Sequence, residues 1–449
     1  MLQDLAGASR VARAADFQAS AANMAQVADA DILVFDYLGA GVLDIEPKQL
    51  QSLRVGRDSP ILAIEQEKIV STIVVGAAPP KELDWPTEIP PWSPLKKGGK
   101  PEFTALLFKG GKPEFTAPLF KGGWGDLTLS EKYCMAIDDE TNSGSGENRQ
   151  ENLRYLSEKY PDDLLEWEAT WGLQATDVLR SRFSGSGIKI AVLDTGLDLT
   201  HPDFVGRQIV SQSFVPYEEV QDANGHGTHC IGTACGSLFP QILPRYGIAY
   251  HAKIYAGKVL SNQGSGLSSQ IWAGMEWAIA NNCQIISMSL GRPTKPGESY
   301  SRTYETLARR ALRQGTLIVA AAGNASKRHK GIINPVGHPA NCPSVLAVGA
   351  IDSQFQVARF SNRGINPIGG RIDLAAPGVD IYSSYPMPQK YKRLRGTSMA
   401  TPHVAGIAAL YAEATGCTGA DLWQLLVNNA RPLALPAADV GSGLVRSPG

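Results

Sequence analysis

The chain has 449 residues, with 42 Lys and Arg against 43 Asp and Glu for a formal net charge of −1, so no charge excess points to nucleic acid or an anionic membrane surface as partner. Apolar residues make up 43%, with 46 Gly and 29 Pro, a globular composition that leans on loops and small-residue contacts. The length calls for two or three units, one of them large enough to bury a substantial core.

The start, Met1 to Gly7, carries an early acid and lacks a basic stretch followed by an apolar one, so it does not read as a secretory signal. No apolar run of about 18 residues follows, and no transmembrane helix is expected. The chain as written is therefore expected in the cytoplasm, export staying open if translation begins upstream. Residues 1–80 form a first unit: an Ala-rich, helix-compatible start, a strand over Ile32 to Phe35, a helix over Pro47 to Leu53 and a strand over Ile61 to Ile64. This is a small α+β pattern, ending in the acidic Glu65-Gln66-Glu67.

From Pro79 the composition changes. Pro79-Pro80, Pro86, Pro90-Pro91 and Pro94 break any regular element, so 81–155 reads as a linker. Within it a 12-residue segment, Lys97 to Phe108, recurs almost unchanged as Lys109 to Phe120 and restarts at Lys121-Gly122-Gly123. Two copies are too few to stack into a solenoid, so the 97–123 repeat reads as an inserted tract. A polar stretch over Asp138 to Gly146 prolongs the linker.

The third unit, 156–449, alternates strands and helices. Near-continuous apolar runs at Ile188 to Leu193, Lys253 to Val259, Ile285 to Leu290 and Leu317 to Ala320 are what a parallel sheet covered on both faces requires. Helical stretches run from Ser268 to Asn281 and from Tyr304 to Arg313. Six cysteines, at 134, 230, 235, 283, 342 and 417, show no CxxC spacing in a chain large enough to hold without staples, so buried free thiols are expected rather than zinc or a disulfide framework.

Three segments carry chemistry. The strand ending in Asp194-Thr195-Gly196 puts a carboxylate at its carboxyl end, where ligands meet such sheets, although an Asp there is alone more often a cap. In Asn224-Gly225-His226-Gly227-Thr228-His229 the flanking glycines let the backbone pass close to another surface and leave the imidazole open. Gly396-Thr397-Ser398-Met399-Ala400-Thr401-Pro402-His403 puts a hydroxyl at the start of an apolar helical run, Val404 to Ala414. The other histidines, 201, 229, 251, 329, 338 and 403, read as structural or surface residues.

These segments resemble the signatures of the subtilisin (subtilase) family, which surround Asp, His and Ser in that order; subtilisin is itself the worked case of the order. The resemblance covers about 160 to 449 and takes in Gly264-Ser265-Gly266, Ser289-Leu290-Gly291, Ala320 to Asn324 and Gly441 to Val445. It implies an α/β fold with a mostly parallel central sheet covered by helices on both faces, and a serine endopeptidase working through an acyl-enzyme. Ser398 would be nucleophile, His226 general base, Asp194 its orienting carboxylate and Asn324 the oxyanion donor. Gly264 to Gly266 and Ser289 to Gly291 would hold the substrate as an added strand. Ala321, Ala322 and Gly323 would wall an apolar S1 pocket with Gly337 at its base.

The resemblance implies no catalytic metal or cofactor. Asp203 matches a calcium ligand of many relatives, but Ala234 to Pro240 lacks their Asn-rich loop, which puts a structural calcium in doubt. The first unit resembles the family's propeptides, which chaperone folding and plug the cleft. The chain is thus expected to be a zymogen that cleaves itself within roughly 80 to 155. A catalytically idle peptide-binding pseudoprotease and a protease dedicated to one precursor are the rival readings.

Overall fold

Of the first 168 residues the computed structural model describes 11–13, 32–35, 40–43 and 69–72, and from 169 it is continuous to 449. The expected helix at 47–53, the strand at 61–64 and the whole linker with its repeat lie outside the described residues. The expected strand at 32–35 is present. Strand β1 (Val11–Arg13) runs parallel to β2 (Ile32–Phe35), which is antiparallel to β3 (Ala40–Leu43). Strand β4 (Ile69–Thr72) follows the acidic segment.

The unit from residue 169 onward is built on alternation within buried strands. Its first elements are β5 (Lys189–Asp194), β6 (Ile209–Ser213), helix α1 (His226–Cys235) and β7 (Lys253–Lys258). Then come β8 (Ser265–Leu267), α2 (Ser268–Ala280), β9 (Ile285–Met288), β10 (Leu290–Gly291), α3 (Arg302–Arg313) and β11 (Leu317–Ala321). The chain closes with β12 (Leu346–Ile351), β13 (Leu374–Pro377), β14 (Ile381–Ser384), β15 (Tyr391–Leu394), α4 (Thr397–Thr415) and α5 (Gly419–Asn428). Seven of these strands form one sheet in the order β13-β12-β11-β9-β5-β7-β6, every pair parallel.

Successive side chains of a strand face opposite ways. In β5, Ile190 and Val192 join the core under α1, α4 and α5, while Ala191 and Leu193 join the core under α2 and α3. In β11, Leu317 and Val319 take the first face, Ile318 and Ala320 the second. Both faces being dry, the strands are apolar throughout, which is why they were legible. The run expected as one strand over Ile285 to Leu290 divides at Ser289, and Leu290–Gly291 leaves the central sheet to pair with β4.

Helix α4 lies across the middle of one face and is buried from Thr397 to Ala412. Its Ala and Gly residues allow close approach: a Cβ on Gly406 would stand 2.9 Å from the carbonyl oxygen of Ala234 in α1. Five cysteines are free among the described residues, four of them buried, as expected for thiols used as small apolar side chains. Among the described residues no helix is long and apolar enough to cross a membrane.

Candidate active site

The carboxyl ends of β5, β9 and β11 and the amino ends of α1 and α4 converge. Asp194 ends β5 and His226 opens α1, both buried, and His226 Nδ1 lies 2.8 Å from Asp194 Oδ1. The same oxygen accepts the Thr195 N–H at 2.7 Å, which fixes the carboxylate's orientation. Glycine at 227 is a requirement of this approach, since a Cβ there would stand 2.3 Å from the Gly196 carbonyl oxygen.

Burial by itself depresses the imidazole's proton affinity. The Asp194 charge, then the Cys230 sulfur and the hydrogen bond that His226 donates to Asp194, outweigh it and carry His226 well above the ordinary imidazole value. Cys230, one turn along α1, has its Sγ 3.8 Å from His226 Nδ1 and 3.5 Å from the Ser398 carbonyl oxygen. Desolvation raises its own pKa, which keeps it a thiol. Two neighbouring histidines behave oppositely. His229, pushed by burial down to about 3, and His403, likewise to about 4, stay neutral and are tied to backbone oxygens, as structural histidines should be.

Ser398 is the second residue of α4 and is buried. Pro402, four residues on, has no N–H to give to its carbonyl. Ser289 Oγ supplies that bond at 2.8 Å, and Ser398 Oγ in turn donates to the Ser289 carbonyl at 3.1 Å. Ser398 Oγ thus points along β9 toward β10, and His226 Nε2 has no hydrogen-bond partner among the described residues. His226 Nε2 and the Ser398 hydroxyl are therefore not hydrogen-bonded to each other in this structure.

Asn324 follows β11 after Gly323. Its Oδ1 accepts from the Thr397 N–H at 2.9 Å and the Thr397 hydroxyl at 3.0 Å, which turns its NH2 group away from Thr397. Gly323, at φ +109°, gives the turn, and a Cβ there would stand 2.4 Å from Asn362 Nδ2. Ala321 and Ala322 are fully buried at the end of β11, and the Gly337 N–H donates to the Ala322 carbonyl at 2.9 Å. The four residues expected around S1 are thus contiguous in space. A side chain at 337 would collide with the Arg292 carbonyl oxygen at 2.6 Å.

The expected substrate strands face each other as β8 and β10, and β4 lies antiparallel between them. Val70 pairs with Gly266, Ser71 with both Ser265 and Gly291, and Thr72 with Leu290. The Thr72 N–H donates to the Gly264 carbonyl at 2.8 Å. Val70 is 3% exposed and belongs to the core that includes Trp272 and Leu290, whereas Ile69 points outward. A segment of the chain's own amino-terminal unit therefore fills the slot.

Sequence reasoning missed two residues. The Asp222 carboxylate accepts from Thr195 Oγ1 at 2.9 Å, from the N–H groups of Asn224, Gly225 and Thr228, and from the Thr228 hydroxyl at 2.7 Å, tying the start of α1 to the end of β5. Its signal was present, an Asp two residues before Asn224 in a loop that opens a helix. Lys258, wholly buried, donates to the Thr195 carbonyl at 2.7 Å and to Asn262 Oδ1 at 2.9 Å, with Glu218 at 3.1 Å. Its role had no sequence signal, because it rests on β7 lying beside β5.

Residues 185–444 match the family model described as the subtilase family, Peptidase_S8. Subtilisin NAT of Bacillus subtilis subsp. natto is 44% identical over 230 residues, which are 51% of this chain and 56% of that protein, so the chain spans little more than half of its length. Subtilisin of Bacillus pumilus is 44% identical over 230 residues, 51% of this chain and 78% of its own. Subtilisin DY of Bacillus licheniformis is 40% identical over 239 residues, 53% and 81% respectively. With the matched region holding the parallel sheet and every residue of the site, the chain belongs to the subtilase family.

Proposed function

We propose that the chain is a serine endopeptidase that hydrolyses peptide bonds through an acyl-enzyme, and the observation that carries this is the buried 2.8 Å bond between Asp194 and His226 beside Ser398. A hydroxyl attacks a peptide carbonyl at neutral pH only when a base removes its proton. Rotation of Ser398 Oγ from the Ser289 carbonyl toward His226 Nε2 makes that transfer possible. His226 takes the proton as the C–O bond forms, Asp194 stabilises the imidazolium, and the oxyanion meets the Asn324 NH2 group and the Ser398 N–H. The imidazolium then gives its proton to the departing amine. Water, deprotonated by the same nitrogen, releases the acyl group. Ala321, Ala322, Gly323 and Gly337 support an apolar S1 that takes Leu, Phe, Tyr or Met; a peptide-library profile demanding Arg or Lys at P1 would overturn that specificity.

A fluorophosphonate probe tests the central reading, since labelling needs an activated serine. Processed wild-type chain should label at Ser398 and cleave casein, and Ser398→Ala should do neither. A folded, processed chain that fails at both would be a peptide binder.

The zymogen reading rests on β4. Its last described pair sets Thr72 against Leu290, the residue after Ser289, whose carbonyl oxygen is 3.1 Å from Ser398 Oγ. A segment of the chain's own amino-terminal part seated this close to Ser398 supports self-cleavage, expected within roughly 80 to 155. Amino-terminal sequencing decides: a start outside roughly 80 to 155 would refute that junction, and a Ser398→Ala chain that is still cut would refute self-cleavage.

A further inference from the structure

The Asp203 carboxylate, the group that the subtilase resemblance assigns to calcium, has its surroundings turned the wrong way for a metal. Calcium takes about 6–8 oxygen lone pairs. Here the groups that reach the carboxylate bring protons instead. The Gln241 backbone presents its N–H, not its carbonyl, 2.7 Å from Asp203 Oδ1. The Tyr246 hydroxyl donates to Oδ2 at 2.5 Å, and the Tyr391 hydroxyl reaches the two oxygens at 3.0 and 3.2 Å. Asp203 is 7% exposed and Tyr246 1%.

The rings around this carboxylate form a continuous cluster. Tyr391 stacks on Tyr382 with centroids 5.4 Å apart and meets Tyr246 and His201 edge-on. His201 accepts the Asp203 N–H on Nδ1 and reaches the Lys390 carbonyl through Nε2 at 2.7 Å. Three stretches are joined in this way: the turn after β5, the segment between α1 and β7, and the β14–β15 hairpin. That hairpin bears on the site, because Ser383 Oγ and Ser384 Oγ donate to the His229 and Thr228 carbonyls of α1, and Tyr385 donates to the Asn224 carbonyl.

We propose that Asp203, Tyr246, Tyr391 and the Gln241 amide form a proton-donating clamp that stands where a subtilase would bind calcium, so that the stability of this region is independent of the ion. Charge-assisted hydrogen bonds at a dry carboxylate hold the three stretches together as a shared cation would. They cannot be stripped by a chelator.

The test is thermal unfolding of the full-length Ser398→Ala chain, which cannot digest itself, in millimolar calcium and in EDTA. The expected Tm is the same in both. Tyr391→Phe, which keeps the stacking, and Tyr246→Phe should each lower it by about 3–10 °C, again without calcium dependence. Two results would overturn the clamp: a calcium-dependent rise in Tm that Asp203→Asn abolishes, or a Tm unmoved by both tyrosine changes.

Discussion

Pro402 stands four residues after Ser398 in α4, and in place of the missing helical N–H the Ser398 carbonyl receives the Ser289 hydroxyl at 2.8 Å. The nucleophile is thereby tied to the strand that would carry substrate. Pro402→Ala returns a competing donor to the helix. The expected result is a kcat lower by about tenfold with KM little changed and Tm not reduced. Steady-state kinetics on a chromogenic peptide would show it, and an unchanged kcat would mean the tie is only structural.

His226 must be neutral to accept the Ser398 proton. Burial lowers its pKa but the Asp194 charge, Cys230 and the Asp194 hydrogen bond carry it well above the ordinary 6.5. Since a raised pKa keeps the imidazole protonated to higher pH, the acid limb of kcat/KM should lie above that value. Asp194→Asn removes the charge, so the limb should move toward acid while kcat falls by about 10⁴-fold through loss of the correct tautomer. A pH profile of both proteins provides the comparison.

Asn324→Ala removes a donor that matters only once the oxyanion forms. Its kcat should fall by about 10²–10³-fold, a range set by subtilisin's own oxyanion asparagine, with KM nearly unchanged. Equal effects on both constants would point to ground-state binding instead.

Gly227→Ala drives a methyl group to 2.3 Å from the Gly196 carbonyl oxygen. Either α1 or the Asp194 turn must retreat, and a displacement of about 1 Å between acid and base costs on the order of 10²-fold in rate. A stability loss of about 1–3 kcal/mol should accompany it, measurable by urea unfolding in the Ser398→Ala background.

Asp373 offers a pH test away from the site. Desolvation lifts its pKa to about 6 from the usual 3.8, against hydrogen bonds from the Ala347 N–H and Arg371. The folded state then holds a proton that the unfolded chain has lost, so this group's contribution to stability falls as pH rises from about 4 to 6. The change is roughly 2–3 kcal/mol. Asp373→Asn should flatten that part of the curve of unfolding free energy against pH.

The sequence disclosed what a dry environment or a chemical motif imposes. Strands β5, β9 and β11, apolar on both faces, could be read directly, and so could the segments around Asp194, His226, Asn324 and Ser398. Strand β12 was lost because Gly349 interrupts it, β13 because it is four residues ending in Pro377, and β6 because three of its five residues are polar at the sheet's edge. Asp222 was overlooked although its place before a helix start was a signal, and Lys258 was invisible. They act on backbone groups of Thr195, Gly225 and Thr228, and which backbone a side chain will meet is decided by topology, not by neighbours in the sequence.

If the chain cleaves peptides as proposed, the slot between β8 and β10 has a consequence for what it would sense. It grips β4 through peptide groups that nearly every residue carries; proline at the Thr72 position, lacking the N–H that meets Gly264, would be turned away. Any other sequence can enter, provided that about four residues are released from their own secondary structure. A native helix or an inner strand has its peptide groups engaged already and is invisible to such a slot. On the proposed reading, what such a slot would recognise first is loss of order: the gap would work as a gauge of unfolding, and the side-chain pockets would only choose where, along an already loosened chain, the cut falls.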